Sequence, residues 1–216
     1  MIKKFTIMGE RCSGTNYLEE LIVNNFNIDV TWEYGFKHFF GFYDFGKSEE
    51  EDDTLFIGII RHPISWIDSF FREQHHISGK PRSFNDFLSN EFYSLWDDGE
   101  IIKEDLNYLT GNKYKNIFEL RFMKNYYLLN VMPAKVKNYL LITYETLKKD
   151  PIKFLQSLES KYNLNKKNII YKNVTYYKKE KNNSYKKKNI DMPLVYQLLC
   201  IKYLNNIQEN RLGYLL

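Results

Sequence analysis

The chain has 216 residues, 44% of them hydrophobic and 27% charged, with a formal net charge of +4. That length supports one substantial core, taken here as one domain over 1–216, and the composition is that of an ordinary globular protein and not a disordered or fibrous one. Two cysteines, Cys12 and Cys200, are too few for a disulfide framework, and no apolar run approaches the ~20 residues that span a bilayer, so the chain reads as soluble and cytoplasmic, with no membrane partner.

Residues 3–8 form a short buried strand. The stretch Gly9-Glu10-Arg11-Cys12-Ser13-Gly14-Thr15-Asn16 turns from it into a helix over 14–26, where Tyr17, Leu18, Leu21, Ile22 and Phe26 make one apolar stripe. An extended segment over 28–32 leads to Gly35-Phe36-Lys37-His38-Phe39-Phe40, and the acidic run Glu49–Asp53 makes a loop. Residues 55–60 are apolar on both faces, as in a central parallel strand, and end at Arg61-His62 with Pro63 opening a helix to about 75. Ser83 caps a short helix, a long helix covers 115–131, and 139–143 is a further buried strand. A helix begins near Pro151, 168–171 reads as a short strand in a lysine-rich loop region over 161–190, and a closing helix covers 191–206. Alternating strands and helices predict an α/β fold of three layers, a mainly parallel central sheet with helices on both faces. In such sheets ligands bind at the carboxyl ends of the strands, where both the 9–16 turn and Arg61 fall.

The spacing Gly9-x4-Gly14 is that of a phosphate-binding loop, with Thr15 where a nucleotide triphosphatase carries lysine. Backbone amides turning into a helix make an anion site, which Ser13, Thr15 and Asn16 supplement with side-chain donors and Arg11 with a cation. Arg61 and Ser69, eight residues apart with Ser65 one turn before Ser69, supply a planar fork of donors and a hydroxyl suited to a terminal phosphate. Arg121 and Lys124 lie one turn apart, as a surface pair or as pocket residues.

Three motifs in order, Arg11-Cys12-Ser13-Gly14-Thr15-Asn16, then Arg61-His62-Pro63 through Ser69, then Tyr144-Glu145-Thr146-Leu147 with Pro151, resemble the PAPS-dependent sulfotransferase family over about 2–151. PAPS is 3′-phosphoadenosine 5′-phosphosulfate. The resemblance implies a P-loop-nucleotide-hydrolase-like fold and metal-independent transfer of a sulfuryl group to a hydroxyl or amine acceptor, leaving adenosine 3′,5′-bisphosphate. It implies that Arg11, Cys12, Ser13, Gly14, Thr15 and Asn16 hold the 5′-phosphosulfate and that Arg61 and Ser69 hold the 3′-phosphate. Tyr17 and Tyr144 lie by the base. The loop position before Ser-Gly-Thr usually carries Lys or Arg and here is Cys12, so either Arg11 or Lys37 is left to supply the charge.

His38 is the candidate base, since a histidine of ordinary pKa is largely neutral at pH 7. Glu33 is in reserve. With His38, Lys37 and Arg11 complete the candidate catalytic set. The acceptor, a small molecule or glycan, meets variable loops over 37–48 and 78–104 and the lysine-rich segment over 161–190. Two other readings are a P-loop kinase-like enzyme, disfavoured by the missing lysine, and a non-catalytic module binding nucleic acid or another polyanion through 161–188. Nucleic acid is the less favoured partner.

Overall fold

The computed structural model describes residues 1–46, 49–176 and 189–216. The strand Thr54–Ile60 is buried along its whole length, and a segment apolar on both faces belongs in the middle of a parallel sheet. The sheet has that form. β1 (Lys4–Met8), β2 (Asp29–Val30), β3 (Thr54–Ile60) and β4 (Tyr139–Thr143) lie in the order β2-β1-β3-β4, and every pairing is parallel. α1 (Thr15–Asn25) carries the chain from β1 to β2 on one side. The chain then crosses to β3 on the other side of β1, so the strand order reverses between β1 and β3.

After β3 come α2 (Pro63–Arg72), α3 (Phe84–Ser89) and α4 (Ile117–Tyr126). α4 runs through a π-helical turn, Tyr127–Val131, into α5 (Met132–Lys135) before β4. α6 (Tyr144–Lys149), α7 (Pro151–Tyr162), α8 (Leu194–Tyr203) and α9 (Asn206–Arg211) follow. Alternate residues of β3 feed two cores. Leu55, Ile57 and Ile59 pack with Leu18 and Leu21 of α1 and with Leu155 and Leu158 of α7. Phe56 and Ile60 pack with Leu128 of the π turn and Met132 of α5. Helical layers therefore cover both faces, as expected of the α/β class. No helix among the described residues is long and apolar enough to cross a membrane.

The elements depart from expectation where local chemistry intervenes. β2 is only two residues long, because the chain leaves the sheet edge after Thr31 and turns at Gly35, whose φ is 105°. Glu49–Asp53 is a 3-10 turn and not an open loop. The tetrapeptide 168–171 is not a strand. Instead, the Asn25 side chain accepts from the Lys172 N–H and donates to its carbonyl, taking a neighbouring strand's place at the end of α1. The closing helix divides at Asn205, whose side chain caps α9 by accepting from the Gln208 N–H. The Tyr144-Glu145 motif is itself helical, opening α6 under a Thr143 cap. Residues 47–48 of the first expected acceptor loop and 177–188 of the lysine-rich region lie outside the described residues.

α9 is fastened to α4 by a buried bidentate pair: Arg121 Nε and Nη2 donate to the two Glu209 carboxylate oxygens at 2.6 and 2.7 Å. Glu209→Ala leaves a buried guanidinium uncompensated. It should lower unfolding free energy in urea by about 3–5 kcal/mol, whereas Arg121→Met/Glu209→Leu, which removes both charges, should lose less.

Candidate functional site

The carboxyl ends of β1 and β3 are neighbours, with Met8 opposite Gly58, at the point where the strand order reverses. Everything that follows β1 or β3 opens there. The loop after β1 is wound tightly. The Ser13 N–H donates to the Glu10 carbonyl at 3.1 Å, and the Glu10 carboxylate takes the Arg11 N–H at 2.7 Å. Cys12 (φ 62°) and Gly14 (φ 94°) both occupy the left-handed region, a strained conformation for Cys12. At Gly14 a side chain is excluded outright, because a Cβ would lie 2.4 Å from the Tyr144 ring. The N-cap residue of α1 is Gly14, which makes no side-chain cap, and the positive end of the helix dipole lies at this loop. Ser13, Thr15 and Tyr17 are buried and Asn16 is half-buried.

Arg61, the first residue after β3, closes onto this loop. Its Nη1 donates to the Cys12 carbonyl at 2.9 Å, and its guanidinium lies 5.0 Å from the centre of the Tyr144 ring. Its Nε is buried with no hydrogen-bond partner among the described residues. The Cys12 thiol reaches down to the Ser69 carbonyl on α2 at 3.7 Å, and burial pushes it up to about 11, so it stays protonated at neutral pH. The loop, Arg61, Ser69 and Tyr144, read from three separate stretches, thus meet. Tyr17 hydrogen-bonds Asn173 at 2.8 Å, with the Lys148 ammonium 4.2 Å from its ring centre.

His38 joins from the segment after β2. The Gly9 N–H donates to the Lys37 carbonyl at 2.9 Å, and the His38 Nδ1 lies 2.7 Å from the Gly9 carbonyl. A carbonyl only accepts, so Nδ1 carries the proton and Nε2 is left as an acceptor. Burial drives the ring's pKa down to about 3. The charges of Arg11 and Lys37 add to that, while the Gly9 carbonyl and Asp105 oppose it. The Lys37 ammonium bonds the Asn16 side chain, pairs with Glu19 at 3.1 Å and lies 5.4 Å from the Trp32 ring centre. Glu33, the reserve base, is tied to Lys4 at the surface.

Arg11 corrects the sequence reading. Its guanidinium is buried and committed to Glu10 (2.7 Å), Ser94 (2.7 Å) and Asp105 (2.8 Å), so it contributes backbone to the loop and no side-chain cation. Two charged side chains from outside bond the loop, Lys37 at the Asn16 side chain and Arg61 at the Cys12 carbonyl. Arg121 and Lys124 are also buried and not a surface pair. Arg121 Nη2 donates to the Arg61 carbonyl at 3.1 Å, and Lys124 Nζ donates to the His38 carbonyl at 3.0 Å and pairs with Asp105 at 2.7 Å. Asp105, Ser94 and Glu209 have no local sequence signal, since they meet their arginine partners across 83 to 94 residues. Glu145 was visible within its motif but not in its role. It accepts from the His62 N–H at 3.0 Å, at the start of α2, and from the Tyr214 hydroxyl at 2.8 Å.

The depressed His38 pKa makes a signed prediction. The unfolded chain takes up this proton below about pH 6.5 while the folded chain does not until about pH 3, so acid in that window favours unfolding. Stability should fall with pH there by up to about 1.4 kcal/mol per unit from this group. His38→Asn, which keeps a donor and does not titrate, should flatten the slope of urea-unfolding free energy between pH 6.5 and 4 and change nothing above pH 7.

No protein-family model matches the chain, and no curated protein matches it. Among solved structures that resemble it is mouse sulfotransferase SULT7A1 complexed with PAP, at 15% sequence identity and a TM-score of 0.38. That likeness covers 73% of this chain and 58% of the mouse chain, so this chain spans less than two thirds of its length.

Proposed function

We propose that this chain is a PAPS-dependent sulfotransferase that moves a sulfuryl group to a hydroxyl acceptor. One observation carries the reading: three motifs lying 49 and 83 residues apart converge on one another. Arg61 donates to the Cys12 carbonyl, its guanidinium lies over Tyr144, Glu145 takes the amide of His62, and the Tyr144 ring fills the space a side chain at Gly14 would need. The site also fits the donor's phosphates. The N-cap residue of α1 is Gly14, which makes no side-chain cap, and the Arg61 Nε is a buried donor with no partner among the described residues. In this reading the loop over 11–16, with the Thr15 and Asn16 side chains, holds the 5′-phosphosulfate in a P-loop-like cradle. Arg61 and Ser69 hold the 3′-phosphate, and Tyr17 and Tyr144 flank the base.

PAPS, when bound, supplies a sulfuryl group on a phosphate leaving group. The chain's task is then positioning and electrostatics, as in phosphoryl transfer. Lys37, held on Asn16, places a positive charge at the end of the loop where a leaving phosphate gathers negative charge. His38, with its proton fixed on Nδ1, offers Nε2 to an acceptor hydroxyl. Its basicity is low in the free protein. Burial is the main cause, and the charges of Arg11 and Lys37 add to it.

Calorimetry should show adenosine 3′,5′-bisphosphate binding more tightly than ATP with Mg²⁺; the reverse order with no bisphosphate binding sinks the proposal. Arg61→Ala should weaken bisphosphate binding by about 2–3 kcal/mol through loss of charge-assisted hydrogen bonds. His38→Ala should abolish turnover while leaving bisphosphate affinity within twofold, and near wild-type turnover would remove His38 as the base.

A further inference from the structure

We infer that Lys124 is a positioning residue for the His38 imidazole, acting through a closed buried circuit that ties the base to the loop after β1; this rests on His38 being the base. The circuit can be followed contact by contact. The His38 Nδ1–H donates to the Gly9 carbonyl at 2.7 Å. The His38 carbonyl accepts from Lys124 Nζ at 3.0 Å. The same ammonium lies 2.7 Å from Asp105 Oδ1, and Asp105 Oδ2 accepts from Arg11 Nη2 at 2.8 Å. Ser94 donates to that carboxylate and accepts from Arg11 Nη1. Arg11 and Gly9 are two residues apart in one loop, which closes the ring.

The imidazole is therefore held at one end by its own ring and at the other by its own main chain. Gly9 fixes which nitrogen carries the proton, but only while the ring reaches the Gly9 carbonyl. Where the ring points follows from the backbone of residue 38, and Lys124 holds that backbone's carbonyl. The Lys124 side chain is 2% exposed and lies against Phe40, and its ammonium is shared between the Asp105 carboxylate and the His38 carbonyl. The neighbouring turn of α4 repeats the device: Arg121, three residues earlier, holds the Arg61 carbonyl at 3.1 Å. One helix thus grips the main chain of the candidate base and of the candidate phosphate ligand.

The test uses the full chain with ¹⁵N-labelled histidine. Wild-type His38 should show a single tautomer at pH 7.5, protonated on Nδ1 and bare on Nε2. Lys124→Met/Asp105→Asn removes one positive and one negative charge together and leaves Glu10 and Arg11 paired. It should give a mixture of His38 tautomers and at least a tenfold fall in kcat, with the KM for PAPS within twofold. Lys124→Arg keeps the charge balance but displaces the donor from the His38 carbonyl. It should mix the tautomers too, and it serves if the double variant does not fold. Unchanged His38 signals and unchanged kcat in whichever variant folds would overturn the proposal. If the wild-type chain turns over no PAPS, the sulfotransfer reading fails on its own, and the tautomer measurement alone decides whether Lys124 positions the ring.

Discussion

The site depends on four buried charges held in a row: Glu10, Arg11, Asp105 and Lys124. Their side chains are between 0% and 8% exposed, so each has lost most of its hydration. Such a row persists only if every charge finds an opposite one in good geometry, and removing any one strands its neighbour. Here the signs alternate and the net charge is zero. The constraint is long-range: Glu10 and Arg11 belong to the loop after β1, Asp105 to the segment before α4, and Lys124 to α4 itself. Three parts of the chain that a hydrophobic core would bring together loosely are set at hydrogen-bond distances. Three aromatic rings, Phe39, Phe70 and Phe92, surround the Arg11 guanidinium at 4.8–5.7 Å from their centres and keep water from relaxing the row.

That rigidity explains how the loop keeps a conformation it would not choose alone. Cys12 sits at φ 62°, where a residue with a Cβ is disfavoured by about 1–2 kcal/mol. Its neighbours leave it no alternative. Arg11 is locked in the charge row, and its carbonyl takes the Trp66 indole N–H at 2.8 Å. Arg61 holds the Cys12 carbonyl, and Tyr144 presses on Gly14. A strained turn fixed from every side is preorganised: its amides stay directed whether or not an anion is present, so an anion meets them without reorganisation.

Much of this was legible from the residues, for identifiable reasons. β3 is a near-continuous apolar run that admits one placement, and β1 and β4 are mainly apolar, so the parallel sheet followed. The meeting of the 9–16 loop with Arg61 and Tyr144 followed too, because all three sit just past a strand's carboxyl end. What stayed hidden was the interior electrostatics. Arg121 and Lys124, one turn apart, look like any basic surface pair, because their partners Glu209 and Asp105 stand 88 and 19 residues away with no periodic relation to them. Arg11 misled for the same reason, although the adjacent Glu10 was a local sign that its charge had a partner. β2 is short because the chain leaves the sheet after Thr31, and beyond 168–171 the Asn25 side chain ties the Lys172 backbone to the end of α1, which no hydrophobic pattern records.

The loop's own oddity, a thiol where a cation is expected, then follows from burial. The setting that pushes the Cys12 thiol up to about 11 is one that disfavours charge, and an ammonium there would be disfavoured as the thiolate is. Position 12 points inward to the Ser69 carbonyl, and position 11 is consumed by the charge row. A cation for the loop has to come from outside it. Lys37 and Arg61 both reach it from outside: the Lys37 carbonyl accepts the Gly9 N–H and its ammonium, paired with Glu19, bonds Asn16 at the start of α1, while Arg61 donates to the Cys12 carbonyl. The Lys37 charge is thus built into the segment after β2, the same segment that delivers His38. A change in that segment would move the Lys37 ammonium and the candidate base His38 together, because both residues are tied to Gly9, one through its N–H and the other through its carbonyl.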